Sequence, residues 1–240
     1  MHLIPHAFSL THNTQIYTQI YTHHHTHTLL PPVGTGMGGP WPGRVIRCEL
    51  RGREVPLVRA GDTVTIAWAP ERGSISSSSS SSSPILSLDE VQQRVDKGWV
   101  LGRPGWTPPL AVVIRAQIVI LDGLPCPILP GSTMLMHVQM AVAECVVEDL
   151  ERLVEATSGT ELKARPRALV RGGQCAVVRL RIPTGGVVCD AVSQTPALGR
   201  FALRDQGKTL AVGAVLEVLE EIAVVSSGRV SWGRDEDGGS

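Results

Sequence analysis

Aromatic side chains are scarce in this chain of 240 residues, Phe, Tyr and Trp together making up 4% of it. That excludes the rows of stacking rings on which single-stranded nucleic-acid platforms depend. Neither sign of charge is in excess, with 22 Lys plus Arg against 22 Asp plus Glu, so no global field gathers nucleic acid or an anionic membrane surface. No apolar run reaches the roughly 18 residues that a membrane-spanning helix requires. The five cysteines (Cys48, Cys126, Cys145, Cys175 and Cys189) are odd in number and form no C-x-x-C pair. They fit a reducing compartment better than a disulfide framework or a zinc site. What is present is a hydrophobic fraction of 42%, enough for the core of one large or two small domains.

Charge is also missing locally. No Lys, Arg, Asp or Glu precedes Arg44, and seven of the eight histidines fall before it. They surround the near-repeat Gln15-Ile16-Tyr17-Thr18 and Gln19-Ile20-Tyr21-Thr22. Residues 1–43 therefore read as low-complexity and disordered, without the positive and apolar regions of a secretory signal. Eight consecutive serines, Ser76 to Ser83, mark 73–84 as a flexible insertion. Residues 222–240 read as a polar tail.

The remainder alternates with period two. Val178, Leu180 and Ile182 point one way, Arg179 and Arg181 the other. Met134, Met136, Val138 and Met140 share a face, and Ala111–Leu121 is a near-continuous apolar strand. Gly172-Gly173, Gly185-Gly186 and Asp205-Gln206-Gly207 punctuate the strands, as in a β-barrel or sandwich. One segment disagrees: Val146, Val147, Leu150, Leu153 and Val154 recur at helical spacing.

Pattern matches to chemistry fail on context. Gly34-x-Gly36-x-x-Gly39 fits a dinucleotide fingerprint, but prolines on both sides forbid the strand and helix it needs. Ala202 to Thr209 fits a relaxed phosphate loop, yet Leu203-Arg204 continue a strand and Asp205-Gln206-Gly207 reads as a tight turn. A guanine site also needs an Asn-Lys-x-Asp element, and Asn13 is the one asparagine. Asp235-x-x-Gly238 lies in the tail. His137, the one histidine beyond residue 43, reads as a packing or surface residue rather than a base or ligand. No catalytic, cofactor-binding or metal residue is expected.

Three stretches in order resemble one family. Ala60-Gly61-Asp62-Thr63-Val64 resembles a turn in the second domain of elongation factor 1-alpha and its relatives. Arg115 to Asp122 resembles the strand that opens their third domain, and Leu198 to Gly213 the hairpin that closes it. Pro127-Ile128-Leu129-Pro130-Gly131-Ser132, His137-Val138 and Glu144 look most like the ribosome-rescue GTPase that partners pelota; Leu203–Thr209 looks as much like the class II release-factor GTPase. The resemblance implies an all-β chain: a partial domain II-like barrel over 44–109 and a complete Greek-key, domain III-like barrel over 110–221, with Cys145–Ala156 a strand. It implies a cytoplasmic C-terminal part of a translational GTPase, with the GTPase domain absent, that docks a tRNA-shaped rescue or release factor at the ribosome. GTP and magnesium belong to full-length relatives. An incomplete gene model of a whole GTP-binding factor and an RNA- or tRNA-binding barrel are the alternatives. Partner contact is expected at Arg200, Arg204, Lys208 and Thr209.

Overall fold

Alternating β-branched and aliphatic residues dictate strands throughout. The computed structural model describes residues 8–15, 20–21, 26–30, 41–59, 62–70, 98–102, 106–155, 158–224 and 230–231. Every regular element among them is a strand. Strands β1 (Phe8–Gln15), β2 (Ile20–Tyr21), β3 (Thr26–Leu30), β4 (Trp41–Leu50), β5 (Arg53–Val55), β6 (Leu57–Val58), β7 (Thr63–Pro70) and β8 (Val100–Gly102) belong to one compact unit. A second unit holds β9 (Leu110–Ile120), β10 (Thr133–Val138), β11 (Ala141–Val154), β12 (Glu161–Ala164), β13 (Cys175–Arg181), β14 (Val187–Val188), β15 (Arg200–Asp205), β16 (Lys208–Val224) and β17 (Val230–Ser231).

In the first unit the sheet runs β1-β7-β4-β3-β8, with β5 beside β4 and a separate β2-β6 pair. Its path does not close among the described residues, which makes it a partial barrel. Val64, Ile66 and Trp68 alternate into a core with Leu29, Val45, Cys48 and Val58. The Asp62 carboxylate accepts the Arg59 N–H at 2.9 Å and so braces the turn before β7.

Strands also fall within the stretch 1–43. Strands β1, β2 and β3 and the start of β4 lie inside it; β1 pairs with β7, and β3 lies between β4 and β8. Low complexity hid a Thr-, Ile- and Tyr-rich composition that suits strands. The same uncharged chain supplies partners to edges that would otherwise stay open. At the other end β16 runs on to Val224 and pairs with β17, past the expected boundary at 221. The serine run lies outside the described residues.

The second unit is a closed ring. Strands follow the order β9-β13-β11-β10-β15-β16, and β16 pairs back with β9. The hairpins β10–β11 and β15–β16, with β13 inserted between β9 and β11, give Greek-key connections. Ile114, Ile118, Met136, Leu150, Val178, Leu180, Ile182 and Leu203 fill the interior. Met140 departs from its expected face. It is 64% exposed, in the turn after Gln139, whose φ is 52°.

The helical spacing in Cys145–Ala156 has a simple origin. Its part Cys145–Val154 lies in β11, whose pairing with β13 shifts register between Val147 and Asp149 and again between Leu150 and Arg152. Each bulge adds one residue to one strand, turning a step of two into a step of three. The inward positions Val147, Leu150 and Leu153 then fall at helical steps, and Val154, which packs with Cys175 and Val177 instead, completes the imitation of a helical face.

Candidate partner-docking site

The β15–β16 hairpin is built by its turn. Asp205 pairs with Lys208, leaving Gln206 and Gly207 as a two-residue connection with φ of 46° and 79°. Two consecutive left-handed residues make the type I′ turn that matches strand twist. The stretch resembling a phosphate loop is therefore a hairpin, with no helix behind it.

Close approach explains the other glycines of this segment. A Cβ on Gly199 would lie 2.4 Å from Val192 Cα, and one on Gly213 would lie 2.4 Å from Phe201 Cζ. Both residues seat β15 against its surroundings.

Strand alternation brings Arg204 and Thr209 together on the outer face, paired with one another, and Leu135 of β10 pairs with Arg204 on the other side. Leu135 is 45% exposed. Arg204 is half-buried, and its Nη2 donates to the Gly207 carbonyl at 2.9 Å. Arg200 shares that face but lies four residues away, roughly 13 Å along the strand. Lys208 pairs with Asp205 on the opposite side of the ribbon. The structure thus assembles Arg204 with Thr209 and separates both from Arg200 and Lys208. Arg200 and Lys208 are exposed and hold no ion pair among the described residues.

A neighbouring row was missed in the sequence. Val142 pairs with His137, His137 with Ala202, and Ala202 with Val212. With Leu135 this makes a predominantly apolar outer patch in which Val142 and Val212 are 46% and 43% exposed. Its signal was the apolar residue at outward steps of β10, β11 and β16, legible only once the pairing partners are known.

Elsewhere on the outer wall arginines are engaged. Arg115 reaches Glu151 at 3.1 Å and Glu217 at 2.8 Å; Arg179 reaches Glu151 at 3.7 Å; Arg181 bonds Glu148 and reaches Glu220 at 3.3 Å. The buried thiols Cys48, Cys145 and Cys189 are chemically quiet. Burial pushes Cys48 up to about 11, Cys145 to about 12 with Glu144 adding to it, and Cys189 to about 12. Among the described residues no three His, Cys, Asp or Glu gather as a metal site, and no helix is long and apolar enough to cross a membrane.

Residues 113–216 match the family described as GTP-eEF1A C-terminal domain-like. Elongation factor 1-alpha of Thermoplasma acidophilum is 28% identical over 195 residues, covering 77% of this chain and 43% of that protein. That of Pyrobaculum aerophilum is 36% identical over 128 residues, covering 53% of this chain and 28% of its own length. A crystal structure of Sup35 complexed with GDP shares the fold, with a TM-score of 0.66 at 24% identity over 87% of this chain and 44% of that one. The chain spans less than half the length of the curated relatives it matches.

Proposed function

We propose, on the premise that residues 113–216 are a C-terminal domain of the elongation factor 1-alpha-like family of translational GTPases, that this chain works in protein biosynthesis as a docking module. The partner is a tRNA-shaped rescue or release factor, pelota-like in the preferred reading, met at the ribosome in the cytoplasm. The observation that carries this is the outer face of the closing hairpin. Arg204 and Thr209 lie beside an exposed aliphatic patch of Leu135, Val142 and Val212. A cation at the rim of exposed aliphatic surface is the usual make-up of a protein interface. The resemblance of Pro127–Ser132, His137-Val138 and Glu144 favours the rescue factor over the release factor.

The hairpin at Ala202–Thr209 offers no phosphate cradle, so nucleotide chemistry is assigned to residues other than these. Titrating the purified chain with a pelota-like protein in a calorimeter tests the reading. Micromolar or tighter binding is expected, weakened about tenfold by Leu135→Asp and by Thr209→Glu, and unchanged by Arg47→Glu in the other unit. Tighter binding of a class I release factor would move the assignment to the release branch. Micromolar affinity of the chain alone for GTP would overturn the view that it handles no nucleotide. In-frame P-loop and switch motifs in the transcript upstream of Arg44 would make the chain part of a complete GTP-binding factor.

A further inference from the structure

By register, the end of the closed barrel that carries the Asp205–Lys208 turn also carries the segments 121–132 and 165–174. Ile128 and Leu169 join them: each N–H donates to the other's carbonyl at 2.9 Å. Both side chains are buried, at 2% and 0% exposure. Alternation about that bridge turns Pro127 and Leu129 outward on one arm and Ala168 and Val170 outward on the other. Leu129 is 46% exposed and Val170 52%.

Neither arm is slack. The Leu129 N–H donates to Ser132 Oγ at 2.9 Å, and the Gly131 N–H donates to the Val147 carbonyl at 2.7 Å. The N–H groups of Val170 and Arg171 both donate to Gln174 Oε1 at 2.8 Å. Arg165 holds a left-handed φ of 44° while its N–H donates to the Glu151 carbonyl at 2.7 Å. An aliphatic patch fixed in this way loses little freedom when it is covered.

Its rim is basic. Arg165, Arg167 and Arg171 are exposed and hold no ion pair among the described residues, whereas Arg115, Arg179 and Arg181 each hold a carboxylate. An RNA backbone would take the arginines and leave Leu129 and Val170 facing water, and no aromatic residue lies between them for a base to stack on. Arginines around exposed aliphatic side chains instead match a protein partner of opposite charge.

We propose that this rimmed patch docks an acidic protein segment whose aliphatic side chains cover Leu129 and Val170. The surface is separate from the hairpin row of Leu135, Arg204 and Thr209. A labelled twelve-residue peptide alternating Glu and Leu, read by fluorescence anisotropy against the full chain, is the probe. Binding should weaken at least tenfold in Val170→Asp and in Leu129→Asp. It should weaken several-fold, with a flatter salt dependence, in Arg167→Gln/Arg171→Gln, and stay unchanged in Thr209→Glu. The proposal is overturned by no binding, by equal binding of a Lys–Leu or Glu–Ser peptide, or by a labelled RNA duplex binding more tightly through the same arginines.

Discussion

Strands β7 and β13 follow the same plan. Val64, Ile66 and Trp68 alternate inward in one, Val178 and Leu180 in the other with Ile182 just beyond, and all are essentially buried. Each is flanked by a strand on both sides. Their sheets differ. Among the described residues the sheet of β7 stops at β1 and β8, while that of β13 returns on itself where β16 meets β9 over a long antiparallel register. Among the described residues the open sheet gathers 7 core residues and the ring 26, so strands of like quality serve cores of unlike size. Closure removes edges and lets every inward position share one interior.

The largest effect should come from prying the ring apart. In Gly199→Ala the new methyl would meet the Val192 backbone, which cannot swing away as a side chain can. We expect a loss of about 3 kcal/mol in the urea unfolding of the barrel. Gly52→Ala in the open sheet has nothing within 4 Å and only a φ of 74° to oppose it, so about 1 kcal/mol is expected there. Equal losses would mean that the seat of Gly199 is not tight. Limited proteolysis extends the comparison: a fragment starting near Leu110 should outlast every fragment that contains β4 and β7. Survival of Arg44–Trp68 for as long would show that the open sheet is as stable as the ring.

Thiol titration sharpens the contrast at high pH. A buried thiol with a raised pKa stabilises the fold fully below the unfolded value near 9, and that stability fades as pH climbs through the folded value. For Cys48 in the open sheet this is about 11, and for Cys145 and Cys189 in the barrel about 12, burial being the main cause in each. Both units should therefore begin to weaken as pH rises above 9, the open sheet losing no more beyond about 11 while the barrel, with two such thiols, goes on losing stability to about 12. Tryptophan fluorescence follows the open sheet, where Cys48→Val should abolish the loss. At pH 8 a disulfide reagent should label exposed Cys126 at once and Cys145 and Cys189 only on unfolding.

The period-two signal located the ring because its inward positions alternate without interruption in β10 and β13 and from Ile114 to Ile120 in β9. It failed where alternation is broken or composition is odd. Two bulges gave β11 a helical rhythm, and only the family resemblance restored it to a strand. Strands β1 to β3 were invisible because repeated Thr, Ile, Tyr and His carry no inward and outward contrast. At the proposed docking surface, Arg204 and Thr209 were legible as neighbours across a tight turn. The row of Leu135, Val142 and Val212 was not, since it joins three strands far apart in the chain. The patch of Leu129 and Val170 depends on a single bridge between two loops, which no local pattern encodes.

The smallest effects separate networked from isolated charge. In the ring, Arg115 spans Glu151 and Glu217, and Glu151, with a side chain only 16% exposed, also receives Arg179. In the open sheet, Arg47 meets Glu49 alone at 3.2 Å, with 48% of its side chain in solvent. Exposed pairs contribute little, because water screens them and two long side chains must be held still. Arg115→Gln removes the cation bridging two strands and leaves a partly desolvated carboxylate facing Arg179 from farther away. We expect it to cost about 1 kcal/mol at low salt, and Arg47→Gln no more than about 0.3 kcal/mol. Raising NaCl to about 1 M contracts the screening length to roughly 3 Å, so most of the Arg115 difference should vanish. A double-mutant cycle of Arg115→Gln with Glu217→Gln, read from urea midpoints, isolates the seam contact between β9 and β16. Coupling indistinguishable from zero would mean that pairing and packing alone close the ring, and that the charges on its wall merely decorate it.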